Sequence, residues 1–176
     1  MNLALELPNG FELIVKANIS EYDRAVQRIL AVPASRRFWV SGERRGYGME
    51  PNRFDSDWYC VYCINPAVGL AGLSFDRGAG AMGPVVFCFD AEAHENNASA
   101  LAAVHTLLLR YRHIEWCKSS CSELNAPSIK IHRRMFGEPW GTEPHATLDE
   151  VEGRFVGSVK WASLTVDVLG RLSRPL

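Results

Sequence analysis

Apolar residues recur along this chain in two rhythms, and the change from one to the other marks its elements. Phe11 to Val15 is a short β-prone run. Tyr22, Val26, Ile29 and Leu30 then fall on one face at helical spacing, which predicts a helix capped by Asn18 or Ser20 and ended before Pro33. Residues 34–56 lose the rhythm, broken by Gly42, Gly46, Gly48 and Pro51, and predict an irregular excursion. Trp58 to Ile64, turned by Asn65-Pro66, and Val68 to Phe75 predict a β-hairpin. Past the glycines at 78, 80 and 83, Val85 to Phe89 reads as another strand.

The second half is more regular. Ala100, Leu101, Val104, Leu107, Leu108 and Tyr111 repeat at helical spacing and predict a long helix over 98–112, led in by Asp90 to Asn97. Ile114 to Cys121 alternates as a strand does. Asn125 as a cap and Pro127 in the first turn open a further helix to Phe136, which Gly137 and Pro139 end. His145 to Leu148, Arg154 to Trp161 and Leu164 to Leu169 are the last β-prone segments.

A β-α-β step inside an antiparallel meander predicts an α/β (α+β) fold. Its sheet is mixed but mostly antiparallel, with helices on both faces and one parallel pair, Val85–Phe89 beside Ile114–Cys121. With 176 residues, 47% apolar and 22% charged, and with no repeat or long polar linker, residues 1–176 are expected to form a single domain. A formal net charge of −1 excludes a polycation that coats nucleic acid or membrane. No run reaches the roughly 20 apolar residues of a membrane span, and Met1 to Gly10 lacks the basic and apolar regions of a secretory signal. Five cysteines, an odd set in strand-like segments, are expected to be reduced thiols of a cytoplasmic protein. Cys60 and Cys63, three apart on a strand, point to opposite faces, so no metal site with Cys117 and Cys121 is expected.

Residues 85–137 resemble the GNAT superfamily of N-acetyltransferases. In that family a central strand enters a phosphate loop of the form R/Q-x-x-G-x-G/A at the start of a long helix. The next strand leads to a spaced Asn, with a Tyr seven residues later. Here Val85 to Phe89 stands as the strand and His94-Glu95-Asn96-Asn97-Ala98-Ser99 as the loop. His94 occupies the Arg/Gln position, while Asn97 and Ser99 replace the glycines. Asn125 matches the spaced Asn, Ser128 the small residue after it, and His132 the tyrosine.

The resemblance implies transfer of an acyl group from acetyl-CoA to an amine, between two parallel strands that splay at their C-terminal ends. It implies cofactor contacts from the backbone of Phe87 and Phe89 and from His94, Asn97, Ala98, Ser99, Asn125 and Ser128. The simpler reading of Asn96 to Ser99 is a cap on an alanine-rich helix, and both readings stay open. His132 is the candidate general acid for the leaving thiol, its charge sensitive to Arg133 and Arg134; otherwise it is a half-buried helix histidine. Glu115, Glu92 and Glu123 are candidate bases, each equally readable as a surface carboxylate.

Residues 34–56 hold Arg36, Arg37, Arg44, Arg45 and Arg53 among Phe38, Trp39 and Tyr47. Where the family places its acceptor site, Arg36, Arg37, Trp39, Arg44 and Arg45 suit an anionic acceptor, small or macromolecular. A narrower resemblance of residues 94–120 to the phage Mom DNA-modification proteins makes nucleic acid an alternative acceptor. A GNAT-like binding module without catalysis is the third reading.

Overall fold

The computed structural model describes residues 10–14, 24, 27, 28, 31, 37, 58–65, 67–76, 80–88, 94–110, 114–149 and 151–174. Seven strands form one sheet: β1 (Glu12–Ile14), β2 (Trp58–Asn65), β3 (Gly69–Asp76), β4 (Gly80–Cys88), β5 (Trp116–Ser122), β6 (Gly141–Asp149) and β7 (Arg154–Leu164), in the order β1-β2-β3-β4-β5-β7-β6. Every neighbouring pair is antiparallel except β4 and β5, which are parallel. That is the mixed, mostly antiparallel sheet that the sequence predicts.

The β2–β3 turn rests on Asn65, whose Oδ1 accepts the Ala67 N–H at 2.9 Å while its carbonyl accepts that of Val68 at 3.1 Å. This is the local side-chain bonding that suits Asn to turns. β4 begins at Gly80, five residues before the expected start, so Gly80 and Gly83 belong to the strand. Pairing with β3 tolerates them, and a bulge between Gly72 and Ser74 absorbs the change of register.

Helix α1 (His94–Arg110) joins β4 to β5. Ala100, Leu101, Ala103, Val104, Leu107 and Leu108 are buried and share one core with Ala71 and Leu73 of β3. Each leucine so buried stabilises the fold by roughly 1.5–3 kcal/mol, and the two alanines leave room for the helix to lie close to the sheet. Helix α2 (Ala126–Phe136) starts at Asn125, whose Oδ1 accepts the Ser128 N–H at 3.1 Å, with Pro127 in the first turn. It stops at Gly137, where φ is +84° and the N–H bonds Arg133 O. Two β7 side chains satisfy the last carbonyls: Trp161 Nε1–H donates to Gly137 O at 3.1 Å and Ser163 Oγ–H to Phe136 O at 2.9 Å.

Residues 165–172 depart from the sequence reading. The expected strand over Leu164–Leu169 is instead helix α3 (Thr165–Leu172). Thr165 and Val168 are buried, and Leu169 and Leu172 pack against the core. This three-to-four-residue spacing prevails over the β preference of branched Thr165, Val166 and Val168.

Helix α3 packs against both α1 and α2. Arg24, Gln27 and Arg28 are helical and exposed, as the polar side of the helix expected before Pro33 requires. The rest of that helix and most of residues 34–56 lie outside the described residues.

Candidate functional site

Between β4 and β5 the strand ladder stops early. Ala81 pairs with Cys117 and Met82 with Lys118, and no pairing follows up to Cys88 and Ser122. The two strands therefore part toward their C-terminal ends, as expected. Alternate residues of a strand turn their N–H and C=O groups to the same side. Every second residue of β4 past Met82, in a stretch that includes Phe87, thus turns toward the gap backbone groups that β5 does not pair.

Both crossing helices begin at this open end. α1 starts at His94, earlier than the sequence suggests, which moves the free amides. Asn97, Ala98 and Ser99 lie inside the helix, where their N–H groups bond carbonyls four residues back. The amides of the first turn that no carbonyl within the helix can take are those of residues 94–96, and the positive end of the helix dipole lies with them. Asn96 to Ser99 are half-buried. At α2 the Ser128 N–H is taken by Asn125 Oδ1 and the Ala126 N–H by the Leu124 carbonyl, while Pro127 has none.

His132 lies 8% exposed beneath the start of α2, stacked on Trp161 at 4.7 Å between ring centroids and on Phe136 at 6.0 Å. Its Nδ1 is 2.7 Å from Ser128 O, a backbone carbonyl that can only accept, so Nδ1 carries the proton. Ser128 Oγ lies 3.2 Å from the same nitrogen. Nε2 is 2.8 Å from Ser119 Oγ on β5 and, in the neutral ring, accepts the hydroxyl proton. Burial lowers the His132 pKa from 6.5, opposed by the Ser128 backbone hydrogen bond. Arg133 and Arg134, expected from the sequence to set its charge, are not among the causes. In that tautomer the Nε2 lone pair faces the Ser119 hydroxyl.

Ser119 follows directly on Lys118, where β4 leaves β5, and is half-buried on the same strand face as Cys117 and Cys121. The sequence reading missed it. The one available signal was the alternation of β5, which places residues 117, 119 and 121 together.

The other expected residues scatter. Glu115 is exposed one residue before β5, at the end away from the gap, and its carbonyl accepts the Thr165 N–H at 2.9 Å. Glu115 thus stands away from the gap at which a base was expected. Glu123 is bound to β7, its Oε1 accepting the Gly157 N–H at 2.7 Å and its own N–H donating to Gly157 O at 2.9 Å. Arg37 bonds through Nε to Asp149 Oδ2 at 2.8 Å and through Nη2 to Glu152 at 3.4 Å. The guanidinium expected to meet an anionic acceptor is held at the β6–β7 turn by the buried Asp149 carboxylate. Asp149, also missed, has 1% of its side chain exposed. Glu92, Phe89, Arg36, Trp39, Arg44 and Arg45, and the side chain of His94, lie outside the described residues.

Among the described residues no helix is long and apolar enough to cross a membrane, and no group of three His, Cys, Asp or Glu could hold a metal ion.

No protein-family model matches the chain, and no curated protein matches it in sequence. Solved structures do. A GCN5-related N-acetyltransferase from Brucella melitensis matches with a TM-score of 0.62 at 12% identity, over 95% of this chain and 83% of that one. RimL, a ribosomal L7/L12 α-N-protein acetyltransferase in complex with coenzyme A, matches with 0.61 at 15% identity, over 91% and 97%. An aminoglycoside 6'-acetyltransferase of type Ii matches with 0.58 at 11% identity, over 94% and 99%. The chain has the fold of the GNAT N-acetyltransferases.

Proposed function

We propose that this protein transfers an acyl group from a coenzyme A thioester, acetyl-CoA by default, to an amine. The observation that carries the reading is the parting of β4 from β5 after Met82 and Lys118, with α1 beginning at the open end. An extended pantetheine arm can run along the unpaired edge of β4 as an added strand would. Its pyrophosphate then meets the first-turn amides of residues 94–96 and the positive end of α1. The donor set fits an anion without needing side-chain specificity, so replacement of the family glycines by Asn97 and Ser99 does not remove it. Holding amine and carbonyl together supplies the largest part of the rate, and a proton acceptor adds a smaller factor.

The match to RimL bound to coenzyme A supports the donor. That RimL acts on a ribosomal protein and another match on an aminoglycoside leaves both macromolecular and small amines as acceptor classes. Arginines and aromatic residues of the insert favour an anionic one.

Isothermal calorimetry with coenzyme A and acetyl-CoA tests the donor site, and native mass spectrometry of freshly purified protein tests it independently. Saturable 1:1 binding of either is expected. Absence of binding by both methods overturns the reading. Thiol release from acetyl-CoA, accelerated by peptides with free N-termini or by aminoglycosides, then identifies the acceptor class.

A further inference from the structure

Helices α2 and α3 pack together, and both end in arginine. Arg133 and Arg134 stand in the last turn of α2 and Arg171 in that of α3, with Arg174 two residues beyond. Arg134 Nη2–H donates to the Arg174 carbonyl, which ties the two ends to each other. The Arg171 guanidinium lies against Gly137, the residue that closes α2: a Cβ built there would stand 3.3 Å from Nη2. Lys130, exposed one turn before Arg134, extends the row.

Cations so gathered repel one another, and little around them answers the charge. The negative ends of the two helix dipoles offset part of it. Glu138 reaches Arg133 Nε at 3.5 Å, but both side chains are largely exposed, and such a pair is worth little. Arg171 makes no ion pair among the described residues, although Asp167 stands four residues before it on the same helix. Its Nη1 is buried without a hydrogen-bond acceptor. A guanidinium nitrogen withdrawn from water calls for an acceptor or a counter-charge, and the described residues supply neither.

We infer that the joined ends of α2 and α3 form a docking surface for an acidic segment of a partner protein, whose Asp or Glu side chains pair with Arg133, Arg171 and Arg174. Guanidinium forks match carboxylates two N–H groups at a time, and Glu138 already sets a carboxylate beside Arg133 on this surface. Arg134 and Arg171 are held by their contacts, so less side-chain freedom is lost on binding. A nucleic acid suits the surface less well. The whole chain has a formal net charge of −1, so a long phosphate backbone that overran these arginines would meet carboxylates too, whereas a short acidic segment need not. The surface is separated from the open end of the β4–β5 gap by the 11 residues of α2, about 16 Å. It therefore does not rest on the function proposed above.

The full-length protein is titrated into a fluorescein-labelled oligo-glutamate peptide and, separately, into labelled single-stranded and duplex DNA, with anisotropy read at low and at physiological salt. Saturable binding of the peptide that weakens with salt is expected. Arg133→Glu and Arg174→Glu should each weaken it about fivefold or more. Arg154→Glu, the same change of net charge at the β6–β7 turn, should leave it unchanged. Arg171→Met should also weaken binding while its denaturant midpoint stays level or rises, because a guanidinium without an acceptor has gone. A merely structural arginine would instead lower the midpoint and leave binding alone. Absence of peptide binding, affinity indifferent to the Arg133 and Arg174 reversals, or an equal loss in Arg154→Glu overturns the surface. Tighter binding of DNA than of the peptide at the same salt overturns the acidic protein as its partner.

Discussion

Asp149 accepts the Arg37 guanidinium on Oδ2 at 2.8 Å and, on Oδ1, the backbone N–H groups of Val151 at 3.0 Å and Glu152 at 2.8 Å. One carboxylate thereby forms the β6–β7 turn and holds Arg37 to it. β7 runs antiparallel to β5 with Ser158 opposite Ser122, so this turn lies at the open end of the β4–β5 gap.

Replacing Asp149 with Ala leaves two turn amides without their acceptor and should cost about 1–2 kcal/mol of stability. Burial raises the Asp149 pKa, but the hydrogen bonds from Arg37 and the two amides outweigh it and hold the carboxyl below its ordinary 3.8. The sign follows from proton counts: above 3.8 the contribution is complete, and it is lost as pH falls through the lowered folded value. Urea titrations between pH 2 and 6 should show a steeper acid loss for the parent than for Asp149→Ala. Parallel curves would mean that the carboxylate does not hold the turn.

His132 gives the opposite part of the pH scale. Its pKa is lowered in the fold, so between that value and 6.5 the unfolded chain binds a proton that the folded ring refuses. Stability from this group is therefore complete above 6.5 and declines as pH falls below it. Denaturant midpoints measured from pH 8 to 5 should fall for the parent and change less in His132→Gln. An equal fall in both would assign the loss to other groups.

At Gly157 the chain is too tightly packed for a side chain. A Cβ there would stand 2.6 Å from Glu123 Oε2 and 2.7 Å from the Thr142 methyl carbon. Gly157→Ala should cost about 1–3 kcal/mol, as overpacking does. In a Glu123→Ala background one of the two clashes is gone, so the same change should cost roughly 1 kcal/mol less, a coupling that a double-mutant cycle measures. Strict additivity would show that Glu123 moves aside freely.

The start of α1 can be tested with two readouts of opposite sign. Asn96→Asp sets a carboxylate in the first helical turn, which should stabilise the protein by about 0.3–1 kcal/mol through the helix dipole. The same charge stands where a pyrophosphate would bind, so coenzyme A affinity should fall. Ser99→Asp, nearly one turn deeper in the helix, should affect affinity less. Higher stability with unchanged affinity would move the phosphate site away from this turn.

Much of the fold is local enough to read in the sequence. The spacing of Ala100, Leu101, Val104, Leu107 and Leu108 marks the buried face of α1, and a helix of that length between two strands requires a parallel crossover. Asn125 and Pro127 mark the start of α2 because a cap and a fixed φ act within a single turn. The β2–β3 hairpin turned by Asn65-Pro66 is legible for the same reason. Residues 165–172 were not, since β-branched Thr165, Val166 and Val168 favour a strand until the core takes up Thr165, Val168, Leu169 and Leu172 on one helical face.

The site depended on contacts between elements. Sequence determined that Ser128 and His132 stand one helical turn apart and that Ser119 shares a strand face with Cys117 and Cys121. Only the packing of α2 on β5 and β7 brought Ser119 Oγ to Nε2 and buried the ring against Trp161. That burial lowers the ring's pKa, and the Ser128 carbonyl takes its Nδ1 proton. The pairing of Arg37 with Asp149, 112 residues apart, was likewise invisible in the sequence: no local pattern says which of several arginines a distant buried carboxylate will take.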